Sequence, residues 1–334
     1  MYIIESYSLA VTFTIVTMLC WGSWGNTQKL AAKNWRYELF YWDYVIGIVL
    51  LALIVGFTLG SIGDQGRSFT EDLAQMSSAS LWSAILGGVI FNASNILLSA
   101  SISIAGMAVA FPLGVGLALV LGVIINYIST PKGDPLILFT GVLLIVVAII
   151  LNGIASGKMK REDKKSSSKG IWLAIIAGIL MSFFYRFVAA AMDINNFESP
   201  TPGMATPYSA FFVFTLGMLA SNFLFNTIIM KKPFVGVPVS YKDYFSGSLP
   251  THLVGVAGGL IWGLGTILSF MAAGKAGAAI SYGLGQGATM VAALWGVFIW
   301  KEFKDGGRNV NLLLFFMFLL FIAGLVLIIL SGGN

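Results

Sequence analysis

Residues 87–98 read G-G-V-I-F-N-A-S-N-I-L-L, and residues 258–269 read G-G-L-I-W-G-L-G-T-I-L-S. The two stretches lie 171 residues apart, and the match runs on beyond them. Ala105-Gly106 falls on Ala276-Gly277, and Leu113-Gly114-Val115-Gly116 on Leu284-Gly285-Gln286-Gly287. Over residues 87–126, twelve of forty positions are identical without a gap. Self-similarity at a fixed offset is the mark of a duplicated architecture. The residues around both copies are almost wholly apolar, so the duplicated unit is built for oil.

Composition agrees. Hydrophobic residues make up 57% of the 334 and charged residues 10%, against about 25% charged in a soluble chain. The apolar residues fall in ten blocks, near 6–28, 38–60, 81–103, 105–128, 135–155, 170–192, 207–230, 251–273, 276–300 and 311–331. A helix needs about 20 apolar residues to cross a ~30 Å hydrocarbon core. Barrel strands would be shorter and alternate in polarity. The expectation is an all-α polytopic membrane protein with ten transmembrane helices. The first block is preceded by Glu5 rather than a basic run and has no A-x-A site after it. It reads as a span and not as a cleaved signal peptide.

Basic residues set the orientation, because cytoplasmic loops retain Lys and Arg. With the first residue outside, fifteen bases fall in inside loops and three, Arg67, Lys132 and Lys275, in outside ones. Both termini are therefore expected outside, in a cell membrane crossed many times. The net charge of +5 is a topology signal, not a nucleic-acid one. The stretch K-M-K-R-E-D-K-K-S-S-S-K, Lys158–Lys169, splits the spans five and five. We read residues 1–156 as one five-helix repeat, 157–169 as a basic cytoplasmic linker and 170–334 as a second repeat. Five is odd, so the two repeats cross in opposite directions. Inverted repeats of this kind hold solute near the bilayer midplane and alternate access by rocking.

Several classes drop out. One cysteine and one histidine leave no internal disulfide, no cluster of metal ligands, no cofactor site and no acid–base set for an enzyme. G-L-G-Q-G, Gly283–Gly287, follows no strand, so it is no dinucleotide loop; it reads as small residues for close helix packing. His252 reads as interfacial.

The candidate site residues come from depth. Asn92 and Asn95 lie about 11 and 14 residues into the third block, and Gln286 and Thr289 about ten and thirteen into the ninth. At 1.5 Å per residue all four lie near the middle, with Thr266 alongside. An amide in hydrocarbon needs a partner. Each is either helix glue or a solute contact. In W-G-S-W-G-N, Trp21–Asn26, Trp21 is deep enough for a cavity wall, whereas Trp24 fits an interfacial anchor. The inverted counterpart is Phe183-Phe184-Tyr185-Arg186, which adds Tyr185 and Arg186. Arg186 is the one base inside a span, with Asp193 on the same helical face. Tyr282 adds an aromatic face in the second half. Asp43, in Y-W-D-Y, is the deepest acid, and a desolvated carboxylate can carry a proton near neutral pH. It is the candidate for proton coupling, or else it orients helices at the inner boundary. Pro112 should kink or break the fourth span. With few fixed charges near the middle, the chamber suits a small neutral polar solute.

The chain resembles the ureide permease family of the drug/metabolite transporter superfamily. G-S-W-G-N, W-D-Y with Asp43, G-G-V-I-F-N-A-S-N-I-L-L around Asn95, I-A-G-M-A-V-A-F-P, G-L-G-T-I-L-S-F-M-A-A-G-K-A-G-A-A and W-G-V-F-I-W-K-E-F carry the likeness. It implies ten spans and proton-coupled import of ureides such as allantoin, or of related oxo-heterocycles such as uracil. Asp43 and Asn95 match family positions. The chain is also similar to porters for glucose, ribose and rhamnose, which keeps a sugar as the alternative solute. The expected partners are that solute, H+ and the lipid bilayer, the protein being a monomer or homodimer.

Overall fold

The computed structural model describes residues 1–33, 35–159 and 168–333. The middle of the expected basic linker, 160–167, lies outside the described residues. Among the described residues the regular elements are helices and none is a strand. Ten helices are long and apolar enough to cross a membrane: α1 Tyr7–Ala31, α2 Tyr37–Phe57, α3 Ser78–Ala105, α4 Phe111–Ser129, α5 Pro135–Lys158, α6 Ser168–Ala191, α7 Pro207–Lys231, α8 Leu249–Ala276, α9 Ala278–Ile299 and α10 Gly307–Ser331.

Helix starts carry the local signals that orphan amides require. The Ser6 side chain accepts from Leu9 N, Ser77 from Ser80 N, and Asp134 from Ile137 N with Pro135 following. The turns flagged by the 171-residue offset share one conformation. Gly106 ends α3 at φ 83°, and Gly277 ends α8 at φ 83°, a left-handed value that only glycine adopts without strain. Pro112 lacks an amide hydrogen, and a π-turn over Phe111–Val115 absorbs the interruption at the head of α4. A second π-turn, Trp295–Ile299, closes α9.

α1 packs on α8, α3 on α6 and α7, α2 on α8 and α7, and α5 on α10. The glycines of the opening motif create these crossings. A Cβ on Gly88 would come 2.0 Å from Phe214 O in α7, and one on Gly259 2.0 Å from Tyr44 O in α2. Gly141 and Gly324 do the same reciprocally for α5 and α10, each 2.7 Å from the other's carbonyl oxygen. In lipid, where apolar burial drives little association, close backbone approach supplies the dispersion contact.

The chain ends share one end of the bundle: Tyr7 Oη donates to Ile329 O at 2.5 Å. That end is tied shut. The terminal ammonium donates to Gln65 O at 2.6 Å. Arg67 pairs with Asp72 at 2.8 Å and donates to Pro200 O and Met204 O. The opposite end, where α5 finishes at Lys158 and α6 begins at Ser168, opens into a cavity of about 790 Å³.

Candidate functional site

Halfway along the bundle lies a small chamber of about 20 Å³, room for about one water. Its polar side chains are the amides of Asn95 from α3 and Gln286 from α9, together with the indoles of Trp21, Trp24 and Trp262; the rest of its wall is apolar and none of it is charged. Asn95 Nδ2 is buried and closes no hydrogen bond of good geometry, with the hydroxyls of Tyr41 and Tyr44 beside it. Trp21 is held rigidly. Its Nε1 donates to Thr266 Oγ1 at 3.0 Å, and its ring lies near-parallel to Trp262 at 6.1 Å. Gly265 and Gly285 make the slot: a Cβ on either would meet the Trp21 ring within 2.9 Å.

Positions matched by the 171-residue offset meet here. Phe91 stacks on Trp262 at 4.2 Å. Asn95 matches Thr266, and Val115 matches Gln286. The aromatic wall of Phe91, Phe184 and Trp262 was not legible beforehand; the alignment of Phe91 with Trp262 was the available signal. Trp24 was expected at the interface. It is instead 2% exposed, lines the chamber and packs on Tyr44 at 4.8 Å. Tryptophan suits both settings because one edge is polar and the body apolar.

The other candidates at the right depth point elsewhere. Asn92 Nδ2 donates to Ser221 Oγ at 2.9 Å, an α3–α7 bond. The Tyr185 hydroxyl donates to Ser269 O at 3.0 Å and contacts Ser281 Oγ at 3.4 Å. Tyr282 Oη donates to the carbonyls of Ala118 and Met181, each at 3.2 Å. Thr289 lines a separate small cavity and donates to Gln286 O. The hydroxyls of Tyr185 and Tyr282 and the Asn92 Nδ2 bond neighbouring helices, and the Thr289 hydroxyl bonds its own. Arg186 is exposed on the outer face of α6. It forms no pair with Asp193, whose carboxylate accepts instead from Thr201 N and Oγ1.

The polar residues of α1 beyond Trp21 zip it to the end of α9. Ser23, Asn26 and Lys29 are three residues apart and so share a helix face. Ser23 accepts from Trp295 Nε1 at 2.9 Å and Asn26 from Trp300 Nε1 at 2.7 Å, while Lys29 donates to Glu302 at 2.7 Å. The small cavity lined by Met107, Phe111, Thr289 and Glu302 shares Phe111 with the chamber and Met107 and Glu302 with the wide cavity.

Asp43 is 1% exposed and lies outside the chamber, near the open end. Its Oδ1 pairs with His252 Nδ1 at 2.8 Å and accepts from Tyr244 Oη at 2.7 Å; its Oδ2 accepts from Trp35 Nε1 at 3.2 Å. Burial, and then the carboxylate, push the Tyr244 hydroxyl above the usual phenol range, so it stays a donor. His252 is therefore a partner of the deepest acid and not a bystander at the interface. Depth could have paired them: Asp43 and His252 each lie within seven residues of the start of α2 and α8.

Comparison with known proteins supplies the context. A family model described as ureide permease matches residues 40–169 and 158–331. "Ureide permease 2" of Arabidopsis thaliana is 25% identical over 400 residues, covering 100% of both chains. "Probable glucose uptake protein GlcU" of Staphylococcus aureus is 25% identical over 267 residues, 79% of this chain and 81% of that one. A solved crystal structure superposes with a TM-score of 0.61 over 96% of each chain at 16% identity, a likeness of fold alone.

Proposed function

The chain belongs to the ureide permease family, and from that premise we propose that it imports a small neutral polar solute, a ureide or oxo-heterocycle such as allantoin or uracil, by proton-coupled alternating access. It is a membrane transporter rather than an enzyme. The observation that carries the reading is a central uncharged chamber in which the amides of Asn95 and Gln286 face a common space with Trp21. Asn and Gln each donate and accept, so two amides match the alternating N–H and C=O edge of a ureide. The indole faces match its flat ring.

In this reading residues 1–156 and 170–334 are inverted repeats, and the termini lie outside. The tied end is then the outer gate and the 790 Å³ cavity the cytoplasmic vestibule. At about 20 Å³ the chamber is contracted, and solute binding requires the Phe111 turn to move. Asp43, with His252 as its partner, is the proton carrier. An imidazole and a carboxylate 2.8 Å apart can share one proton between them. Glucose uptake relatives favour a second reading, a sugar whose hydroxyls meet the same amides and whose apolar face meets the same indoles.

Binding of allantoin, uracil, hydantoins and simple sugars to the purified protein separates the two. Allantoin or uracil is expected to bind, and Asn95→Leu to weaken it roughly tenfold, the loss of one buried polar contact. Preferential binding of a sugar would select the second reading; binding unaffected by Asn95→Leu would remove the chamber from the account.

A further inference from the structure

We propose that the wide cavity at the open end is itself a second solute-binding site, built on Gln28 and Trp35, in which a departing solute lodges beside Asp43. The site rests on the transport reading above.

Three observations carry it. The first is size: about 790 Å³ lies within the range of small-molecule pockets, roughly 300–1,000 Å³. The second is an unused polar group. Gln28 lines the cavity and is 4% exposed; its Nε2 donates to Ser99 O at 3.0 Å, while its Oε1 is buried without a partner. An unpaired buried acceptor is a standing cost to the fold unless something supplies a donor. The third is charge balance. The cavity's two bases are both spent, Lys29 on Glu302 at 2.7 Å and Arg36 on Glu38. Among the described residues lining the cavity, an anion therefore finds no free cation. A neutral solute finds an acceptor in Gln28 and apolar surface in Trp35 and Tyr37.

The location gives the site a consequence. Trp35 lines the cavity and donates its Nε1 to Asp43. A solute in the cavity lies against the edge of that indole, whose ring also packs on Tyr244 and His252, so it presses on a side chain that joins the vestibule to the Asp43–His252 pair. Occupancy is thereby linked to the state of the carboxylate, so solute departure and proton departure occur at neighbouring places.

The test is chemical protection. Ser103 is exposed and lines the cavity, so Ser103→Cys in a Cys20→Ala background offers one thiol for a methanethiosulfonate reagent in the purified full-length protein. Uracil and allantoin are the probes. Protection is expected in this parent, to persist in Asn95→Leu, and to need roughly three- to tenfold more solute in Gln28→Leu, the loss of one hydrogen bond. Protection abolished by Asn95→Leu would overturn the site, because the effect would then arise from the chamber. Chamber binding without any protection in the parent would also overturn it and leave the proposed function standing. A parent that binds neither probe anywhere would take both down. The Asn95→Leu arm decides the matter even where Gln28→Leu does not fold.

Discussion

Gly259→Ala is expected to destabilise the folded protein by about 3 kcal/mol, the upper end of what overpacking ordinarily costs, because here nothing can yield. The added methyl carbon would lie 2.0 Å from the carbonyl oxygen of Tyr44 and 2.9 Å from Gly47 Cα, both backbone atoms. A side chain could rotate away, but two helix backbones cannot without separating α8 from α2. Gly88→Ala should behave alike, against Phe214 O at 2.0 Å. Gly153→Ala is the internal control: it has nothing within 4 Å and should be neutral or slightly stabilising, alanine being the better helix former by about 1 kcal/mol. Thermal unfolding in detergent should show a fall of roughly 5–10 °C for the first two. An unchanged midpoint for Gly259→Ala would mean that the α2–α8 crossing is looser than described.

Asp43→Asn is expected to abolish gradient-driven accumulation while solute exchange across the membrane persists. The amide keeps an acceptor for Tyr244 and nearly the same volume against Gly255, whose Cβ position lies 2.4 Å from Asp43 Cβ. It loses the ability to take up and release a proton with His252. A coupling free energy of 1–3 kcal/mol corresponds to a change of roughly 5–150-fold, so accumulation should fall at least fivefold with exchange within twofold of the parent, about the scatter of such comparisons. Equal loss of both activities would make Asp43 a structural residue that merely fastens α2 to α8.

Which parts of this were legible in the sequence follows from what lipid does to pattern. Span number and limits were legible, because an apolar block of fixed length has no other stable form in a bilayer. Depth was legible too, since it is counted along one axis; Trp21, Asn95 and Gln286 were found that way. Azimuth was not. Lipid is as apolar as the helix interior, so no polar stripe marks which face of α6 or α9 looks inward. Tyr185, Tyr282 and Asn92 lie at the right depth and bond neighbouring helices, and Thr289 bonds its own helix. Arg186 lies on the outward face for the same reason. Trp24 was misplaced because tryptophan is at home both at an interface and in a cavity wall. The Asp43–His252 pair joins α2 to α8 across 209 residues, and only their shared depth hinted at it.

The central claim is that an uncharged chamber between the two halves of the chain receives the solute. An electron-microscopy map of the protein with saturating allantoin or uracil tests it most directly. The account predicts density for the solute between Trp21 and Trp24 of α1, within hydrogen-bond reach of both Asn95 and Gln286. Density lying elsewhere with the chamber still closed would contradict it.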